Sequence, residues 1–231
     1  MKQIKTIIVG AGLSGLTCAL KLQNLGSEYL IIDEANQVGG RVRSTYEKGY
    51  IFDHGFQVYN TAYKFGSNIL DYKSLDLCHF ESGAKIYYKS KFETIYNPLK
   101  DITKIYQTLK SSTSNFSDKL KIAKMIIQLY NYDLSKDFKK DFSTLDFLKN
   151  FGFSDKVIQN FFIPFFGGIF LEKELSTSAK FFKFVFSNFR TGKICVPRLG
   201  MQKIPNQIYN RLDVDSVLLG TKVKSINNNI L

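Results

Sequence analysis

The residues with the clearest potential for chemistry are three glycines near the start of the chain. Within the sequence TIIVGAGLSGLTCALKL they are Gly10, Gly12 and Gly15. At this spacing the first glycine permits a tight turn, the second lets the backbone approach a pyrophosphate, and the third lets a helix pack closely on a strand. The N–H groups at the start of that helix, at Leu13 and Ser14, can bind an anion. The spacing therefore predicts a dinucleotide-binding turn.

Regular elements on both sides must hold this turn in place. The apolar run before it predicts a strand, and the helix after it, which ends at Gly26, has apolar residues on one face: Leu16, Ala19, Leu20 and Leu25. YLIID predicts a second strand, and Asp33 at its end lies near the distance of about 20 residues at which an acid reaches the ribose hydroxyls. A structural turn with a surface aspartate is the alternative. Strand, helix and acid together favour a dinucleotide, with FAD and NAD both open, because both contain adenosine and pyrophosphate.

A second glycine pair bears on the choice of cofactor. After Asp33 the chain reads EANQVGGRVRSTYEKGYIFDHGFQV, in which Gly39 and Gly40 directly precede Arg41. An NAD-binding domain normally continues here into another helix, whereas this segment predicts a loop with cations at Arg41 and Arg43. Such a loop can lie along a dinucleotide with a guanidinium near the pyrophosphate.

The same segment resembles a known family. DEANQVGGRVRS is similar to the acid-to-GGR motif of the flavin-containing amine oxidase superfamily, which includes monoamine oxidases, protoporphyrinogen oxidases and phytoene desaturases, and FDHGFQV resembles its next landmark. Later segments, FFIPFFGGIFLEKELSTSAKFF and VPRLGMQKIPNQIYNRL, are similar in the same order to the phytoene desaturase-like and protoporphyrinogen oxidase-like branch. The resemblance implies FAD as the cofactor. It also places Val223, in a predicted strand GTKVKSI, where the family meets the adenine through its backbone.

The motifs and the resemblance together imply an α/β fold in which a Rossmann-like FAD-binding domain carries an inserted, mainly helical substrate domain. We expect the first part of the FAD-binding domain in residues 1–60, the substrate domain in 61–195 and an incomplete return to the FAD-binding domain in 196–231. The family's C-terminal part of the fold is then absent from this chain.

The expected substrate domain begins with a hairpin over Lys85–Tyr96 and continues as helices. One helix is predicted over residues 101–110, and the next is capped by Ser117 and has one apolar face: Leu120, Ala123, Ile126, Ile127 and Tyr130. Serines also predict the starts of helices in STLDFLKNFG, SDKVIQNFF and STSAKFFKFVFSNFRTG. Six apolar residues of the last helix are expected to pack in the core rather than line a pocket: Phe181, Phe182, Phe184, Val185, Phe186 and Phe189.

Composition limits the partners. The 231 residues have a net charge of +12, but the 32 cations comprise 27 Lys and 5 Arg without a basic block, which argues against a nucleic-acid partner and leaves weak contact with an anionic membrane surface open. Three cysteines without CxxC spacing and two histidines predict no metal site and fit a reducing, cytoplasmic compartment. We expect no signal peptide before the first strand, and the longest apolar run, FFIPFFGGIFL, is too short to span a bilayer. We expect no specific protein partner.

The function expected from the resemblance is an FAD-dependent oxidoreductase that takes hydride equivalents from C–C or C–N bonds of a small hydrophobic substrate. No catalytic residue can be named, since the flavin carries the electron transfer. The alternative is a non-catalytic relative that acts as a binding protein, like the Rab GDP-dissociation inhibitors. Because family members run considerably further, we also expect the 231 residues to be the N-terminal part of a longer enzyme and to be inactive in isolation.

Overall fold

The protein was analysed as a computed structural model that describes residues 4–55, 58–96, 103 and 105–226. The strands are β1 (Ile7–Val9), β2 (Leu30–Ile32), β3 (Ser44–Glu47), β4 (Tyr50–Asp53), β5 (Tyr59–Asn60), β6 (Leu77–His79), β7 (Gly83–Tyr88), β8 (Lys91–Tyr96), β9 (Ile194–Pro197) and β10 (Val217–Leu218). The helices are α1 (Leu13–Asn24), α2 (Lys64–Ile69), α3 (Ile105–Lys110), α4 (Phe116–Gln128), α5 (Thr144–Asn150), α6 (Asp155–Val157), α7 (Ile163–Phe170), α8 (Ala179–Thr191) and α9 (Lys203–Tyr209).

The chain divides into two compact units. The first unit combines Met1–His79 with Ile194–Leu231, and the second is the continuous segment Phe80–Lys193. The sequence predicted boundaries between the domains after residues 60 and 195. Residues 61–79 belong instead to the first unit, because β6 pairs antiparallel with β9. The assignment of these units to cofactor and substrate stays a prediction.

The first unit contains a parallel sheet in the order β1-β2-β10. Strands β1 and β2 are parallel, and helix α1 connects them. Parallel neighbours need such a crossover, because a tight hairpin turn joins only antiparallel strands. Its predicted inner face is confirmed for Leu16, Ala19 and Leu20, which are buried against Ile208 and Leu212 of the α9 segment. Leu25, which caps the helix C-terminus, is exposed.

Two antiparallel groups complete the first unit. Strands β3 and β4 form a hairpin, and β9 lies between β5 and β6 in a second sheet. The predicted strand GTKVKSI is wrong: residues 221–226 carry no strand, and the strand of this region is β10, which pairs with β2. Strand β10 ends at Leu218, and Gly220, two residues further on, has a φ of +66°. The predicted turn at Asn227–Asn229 lies outside the described residues.

The second unit begins with the predicted hairpin. Strands β7 and β8 pair around Lys89 and Ser90, which both have positive φ, as a two-residue primed turn requires. The serine caps of the later helices are confirmed, since Ser143, Ser154 and Ser178 each accept an N–H three residues further on.

The core of the second unit is rich in phenylalanine. Phe162, Phe166 and Phe182 are fully buried, and the residues Phe184, Phe186 and Phe189 pack against the same cluster. The prediction that α8 supplies core residues is therefore confirmed for all of the six except Phe181, which is exposed. The helix predicted in SDKVIQNFF continues further than expected. A π-helical segment, Ile158–Phe162, joins α6 to α7 and places Phe162 and Phe166 in the core.

Helix α4 is oriented differently from the sequence prediction. Its cap is Asn115 in a capping box with Asp118, not Ser117. The face predicted to be internal points outward, with Leu120 58% and Ile127 75% exposed, while Met125 and Leu129 are buried. Of the helices in the described residues, none combines the length and the apolar character that a membrane crossing needs.

Candidate functional site

The three glycines of the first turn have different surroundings. Gly10 has a φ of +104°, which only glycine adopts without strain. At Gly12 an added Cβ would meet no atom within 4 Å, whereas at Gly15 it would lie 2.0 Å from the Gly10 carbonyl oxygen. Gly15 therefore allows α1 to approach β1, and Gly12 leaves open space beside the backbone.

The start of α1 has the character of an anion site. Gly12 is the cap residue and supplies no side-chain hydrogen bond, and the first turn holds no acidic residue. The N–H groups of the first turn, which includes Leu13 and Ser14, have no acceptor four residues earlier within the helix. They add to the positive end of the helix dipole.

The second glycine pair lies directly beside the first turn. Gly12 and Gly39 form a parallel bridge, and the Gly39 N–H donates to the Ala11 carbonyl at 2.9 Å. A Cβ on Gly40 would lie 3.3 Å from the Gly12 Cα, which is a tight contact, and the φ of +56° at Gly40 also favours glycine. The structure thus brings together two motifs that the sequence could only treat separately.

Asp33 anchors the glycine turn. Its Oδ2 accepts the Ala11 N–H at 2.6 Å, and its Oδ1 accepts the Ala35 N–H at 2.8 Å. The side chain is half-buried. An ionised carboxylate has about four lone-pair sites, so two acceptor positions remain for further donors such as ribose hydroxyls.

The two arginines of the loop differ in environment. Arg41 is exposed, whereas Arg43 is half-buried. The Nε of Arg43 is buried and has no hydrogen-bond partner in the described part of the chain. A buried donor without a partner is costly, so this atom is a candidate contact for a bound anion. In the sequence Arg43 is only the second cation of the loop, and its burial is what distinguishes it from Arg41.

Two residues that sequence reasoning missed hold this loop from outside. Gln202, before α9, donates from Nε2 to the Val38 carbonyl at 2.9 Å, and its backbone N–H donates to Ser44 Oγ at 3.0 Å. Both Gln202 and Ser44 are buried. Both lie within segments that resemble the family, Ser44 in DEANQVGGRVRS and Gln202 in VPRLGMQKIPNQIYNRL, but neither residue type nor spacing marks either one as a site residue.

The C-terminal segment runs along the end of β2. The Thr221 N–H donates to the Asp33 carbonyl at 2.9 Å, and Gly220 donates to Ala35 at 2.9 Å. Lys222 pairs with Glu34 at 3.2 Å on the surface. Val223 follows two residues after Thr221 and is half-buried.

Tyr59 and Cys195, in the second sheet of the first unit, are not activated as a base or a nucleophile. Burial raises the pKa of Tyr59 far above its ordinary value, and the hydrogen bond with Tyr72 at 3.0 Å adds to this. Burial also raises the pKa of the Cys195 thiol, which keeps it protonated. His54 is exposed and hydrogen-bonded to Thr45. With these raised pKa values, Tyr59 and Cys195 are not matched to base or nucleophile chemistry near neutral pH.

The second unit holds a separate cavity of about 440 Å³. One wall is β7, including Tyr87 and Tyr88, and the other is the π-helical segment with α7, including Phe161 and Phe165. Gln159 and Asn160 supply amide groups to an otherwise largely apolar lining. The cavity has the composition of a site for an apolar ligand with a polar end.

Comparison with known proteins agrees with this geometry. The family model for flavin containing amine oxidoreductases matches residues 13–229. Among curated proteins, 4,4'-diaponeurosporene oxygenase of Staphylococcus haemolyticus is 35% identical over 72 residues, which are 31% of this chain and 14% of that protein. The sequence similarity to this relative is therefore confined to a short part of its length.

Solved structures match nearly the whole chain. An oxidoreductase from Methanosarcina mazei has a TM-score of 0.68 at 19% identity, with 96% of this chain and 53% of that chain covered. A Rab GDI from Plasmodium falciparum has a TM-score of 0.56 at 14% identity, with 98% of this chain and 60% of that chain covered. These likenesses concern the fold, and the chain spans between half and two thirds of both relatives. Since the family model covers most of its length, the chain belongs to the flavin containing amine oxidoreductase family.

Proposed function

We propose that the protein is an FAD-dependent oxidoreductase whose first unit holds the dinucleotide. The observation that carries this proposal is the contact of Gly12 with the Gly39–Gly40 pair beside open space at the N-terminus of α1. The unpartnered Arg43 Nε adds a donor for an anion on the same loop. These features fit a pyrophosphate, which needs close backbone approach, N–H donors and positive charge.

The residues proposed to hold FAD follow from this arrangement. The pyrophosphate would lie against the first turn and the second glycine loop, and the adenosine against the ends of β2 and β10: Gly10, Gly12, Leu13, Ser14, Gly15, Asp33, Gly39, Gly40, Arg41 and Val223. When bound, the flavin supplies the hydride-accepting chemistry of the reaction. The chain's own residues bind and orient the cofactor, with Arg43 as an addition to the sequence-based set.

The proposed substrate is a small hydrophobic molecule that gives up hydride equivalents from a C–C or C–N bond. Support comes from the phenylalanine-rich second unit and its cavity, whose lining combines Phe161 and Phe165 with the amides of Gln159 and Asn160. We also propose that the protein does not bind nucleic acid.

A glycine-to-valine comparison tests the cofactor site. Gly12→Val should keep the fold, because a Cβ meets open space and the φ of −73° suits any residue, but should weaken FAD binding at least about tenfold, a loss of about 1.4 kcal/mol or more. Gly168→Val is the matched control, since its Cβ also meets nothing within 4 Å and it lies in α7 of the second unit. FAD titration by fluorescence quenching measures both variants, with circular dichroism to verify folding.

Two results would contradict the proposal. Equal FAD affinity of folded Gly12→Val and the wild type would place the dinucleotide elsewhere. A folded wild-type protein without measurable FAD binding would favour the non-catalytic alternative, a binding protein of the same fold, as the Rab GDI likeness allows.

A further inference from the structure

A single side chain holds both ends of the arginine-containing loop. Gln202 is 4% exposed. Its Nε2 donates to the Val38 carbonyl at 2.9 Å, and its Oε1 accepts the Ser44 N–H at 3.4 Å. Val38 and Ser44 are the residues immediately before and after the loop of residues 39–43. Gln202 therefore closes this loop at its base.

The surroundings of Gln202 reinforce that closure. Its own backbone N–H donates to Ser44 Oγ at 3.0 Å, and Met201 N–H donates to Asp53 Oδ1 at 2.9 Å. Nε2 also donates to Asn206 Oδ1 at 2.9 Å, which fixes the amide orientation from within α9. A buried amide with both its donor and its acceptor engaged costs little to keep buried and specifies one geometry.

We propose that Gln202 is a positioning residue for the dinucleotide site, acting through the loop of residues 39–43. This inference rests on the proposed function, because that loop presents Gly39, Gly40 and Arg43 to the cofactor. A loop already held in its binding geometry loses less conformational entropy when the ligand binds. Loosening the loop should thus reduce affinity without removing any group that touches FAD.

The chain contains a control glutamine five residues further on, within α9. Gln207 of α9 accepts the Asp71 N–H at 2.8 Å and donates to the Asp71 carbonyl at 3.0 Å and to Ser74 Oγ at 2.6 Å. It holds the loop of residues 71–74 in the way that Gln202 holds 39–43. Only one of these two loops belongs to the proposed site.

The experiment compares Gln202→Met with Gln207→Met. Methionine keeps the length of the side chain and removes all of its hydrogen bonds. Amide hydrogen exchange of the ligand-free protein should accelerate in residues 39–43 for Gln202→Met and not for Gln207→Met. FAD affinity of the folded protein should fall about tenfold for Gln202→Met and stay within about twofold for Gln207→Met.

The outcomes separate the inference from the proposed function. Unchanged exchange in residues 39–43 of Gln202→Met would overturn the positioning role, whatever the FAD result. Faster exchange with unchanged FAD affinity would also overturn it. A wild type that binds no FAD while Gln202→Met still loosens the loop would overturn the proposed function and leave the closure by Gln202 supported. If Gln202→Met does not fold, Gln202→Glu, which keeps the acceptor and loses the donors, gives the same comparison.

Discussion

The carboxylate of Asp33 accepts one backbone N–H on each oxygen, from Ala11 in the glycine turn and from Ala35 after β2. The sequence pattern assigned this residue to the ribose alone. In the structure the same carboxylate also fixes the turn that is proposed to meet the pyrophosphate. A mutation of Asp33 can therefore weaken FAD binding in two ways, by removing a contact with the ribose or by loosening the glycine turn.

We predict that Asp33→Asn weakens FAD binding by about 1.5 to 3 kcal/mol, the usual scale for a hydrogen bond to a charged group. The asparagine amide would point its NH₂ group at one of the two backbone N–H donors, so one of these contacts is lost as well. Isothermal titration with FAD measures the change, and an unaltered dissociation constant would remove Asp33 from the site.

A pair of ligands separates the two effects at Asp33. If the carboxylate binds the ribose, the wild type should bind ADP more tightly than 2'-deoxy-ADP, and Asp33→Asn should lose that preference. If Asp33 acts only through the turn, the variant should weaken both ligands equally.

At the scale of elements, Asp118 joins two helices of the second unit. It is 1% exposed, and its Oδ1 accepts the Ser154 N–H at 3.0 Å while Oδ2 accepts the Ser154 hydroxyl at 2.6 Å and the Asn115 N–H at 3.0 Å. Burial by itself raises the pKa of Asp118, but the hydrogen bonds from Ser154 and Asn115, with the charge of Lys121, outweigh it and lower the pKa. The start of α4 is thereby fixed to the start of α6.

This lowered pKa predicts a pH dependence of stability. Because the folded pKa lies below the unfolded value of about 3.9, the stabilisation by Asp118 is fully present well above that value and is lost as pH falls through the folded pKa. Asp118→Asn should cost about 1.5 to 3 kcal/mol of unfolding free energy at neutral pH. The difference from the wild type should shrink below about pH 5, as measured by urea unfolding.

The neighbouring Asp155 supplies the control for this pH series. It is exposed in the first turn of α6, so Asp155→Asn should change the unfolding free energy by no more than about 0.5 kcal/mol. A pH-independent difference between Asp118→Asn and the wild type would refute the role of the ionised carboxylate.

At the scale of the whole molecule, the second unit leaves and re-enters the first at neighbouring strand ends. His79, the last residue of β6, pairs with Cys195 of β9. A short connection between residues 79 and 194 can therefore replace residues 80–193 and turn β6 and β9 into an ordinary hairpin.

We predict that a variant with Gly-Asn-Gly in place of residues 80–193, which together with Ile194 gives a four-residue loop between His79 and Cys195, folds and binds FAD within about tenfold of the intact protein. The reason is that the proposed cofactor residues all lie in the first unit. Size-exclusion chromatography and FAD titration measure the outcome. A folded deletion variant without FAD affinity would show that the second unit contributes to cofactor binding.

The sequence by itself determined the features that depend on local backbone requirements. The positive φ of Gly10, the serine caps at Ser143, Ser154 and Ser178, and the Lys89–Ser90 turn each involve contacts within a few residues. Such contacts leave a signature in residue type and spacing. The expectation of a dinucleotide came from motifs of the same local kind, whereas the choice of FAD came from the resemblance to a family.

Only the tertiary structure decided which distant segments meet and which helix face turns inward. Helix α4 is apolar on two opposite faces, so periodicity allows two orientations, and the hydrogen bonds of buried Asp118 together with the packing of Met125 select one. Likewise, the bridge of Gly12 to Gly39 and the contacts of Gln202 join segments far apart in the sequence. No spacing rule encodes those contacts, because they arise from the packing of whole elements rather than from the preference of any one residue.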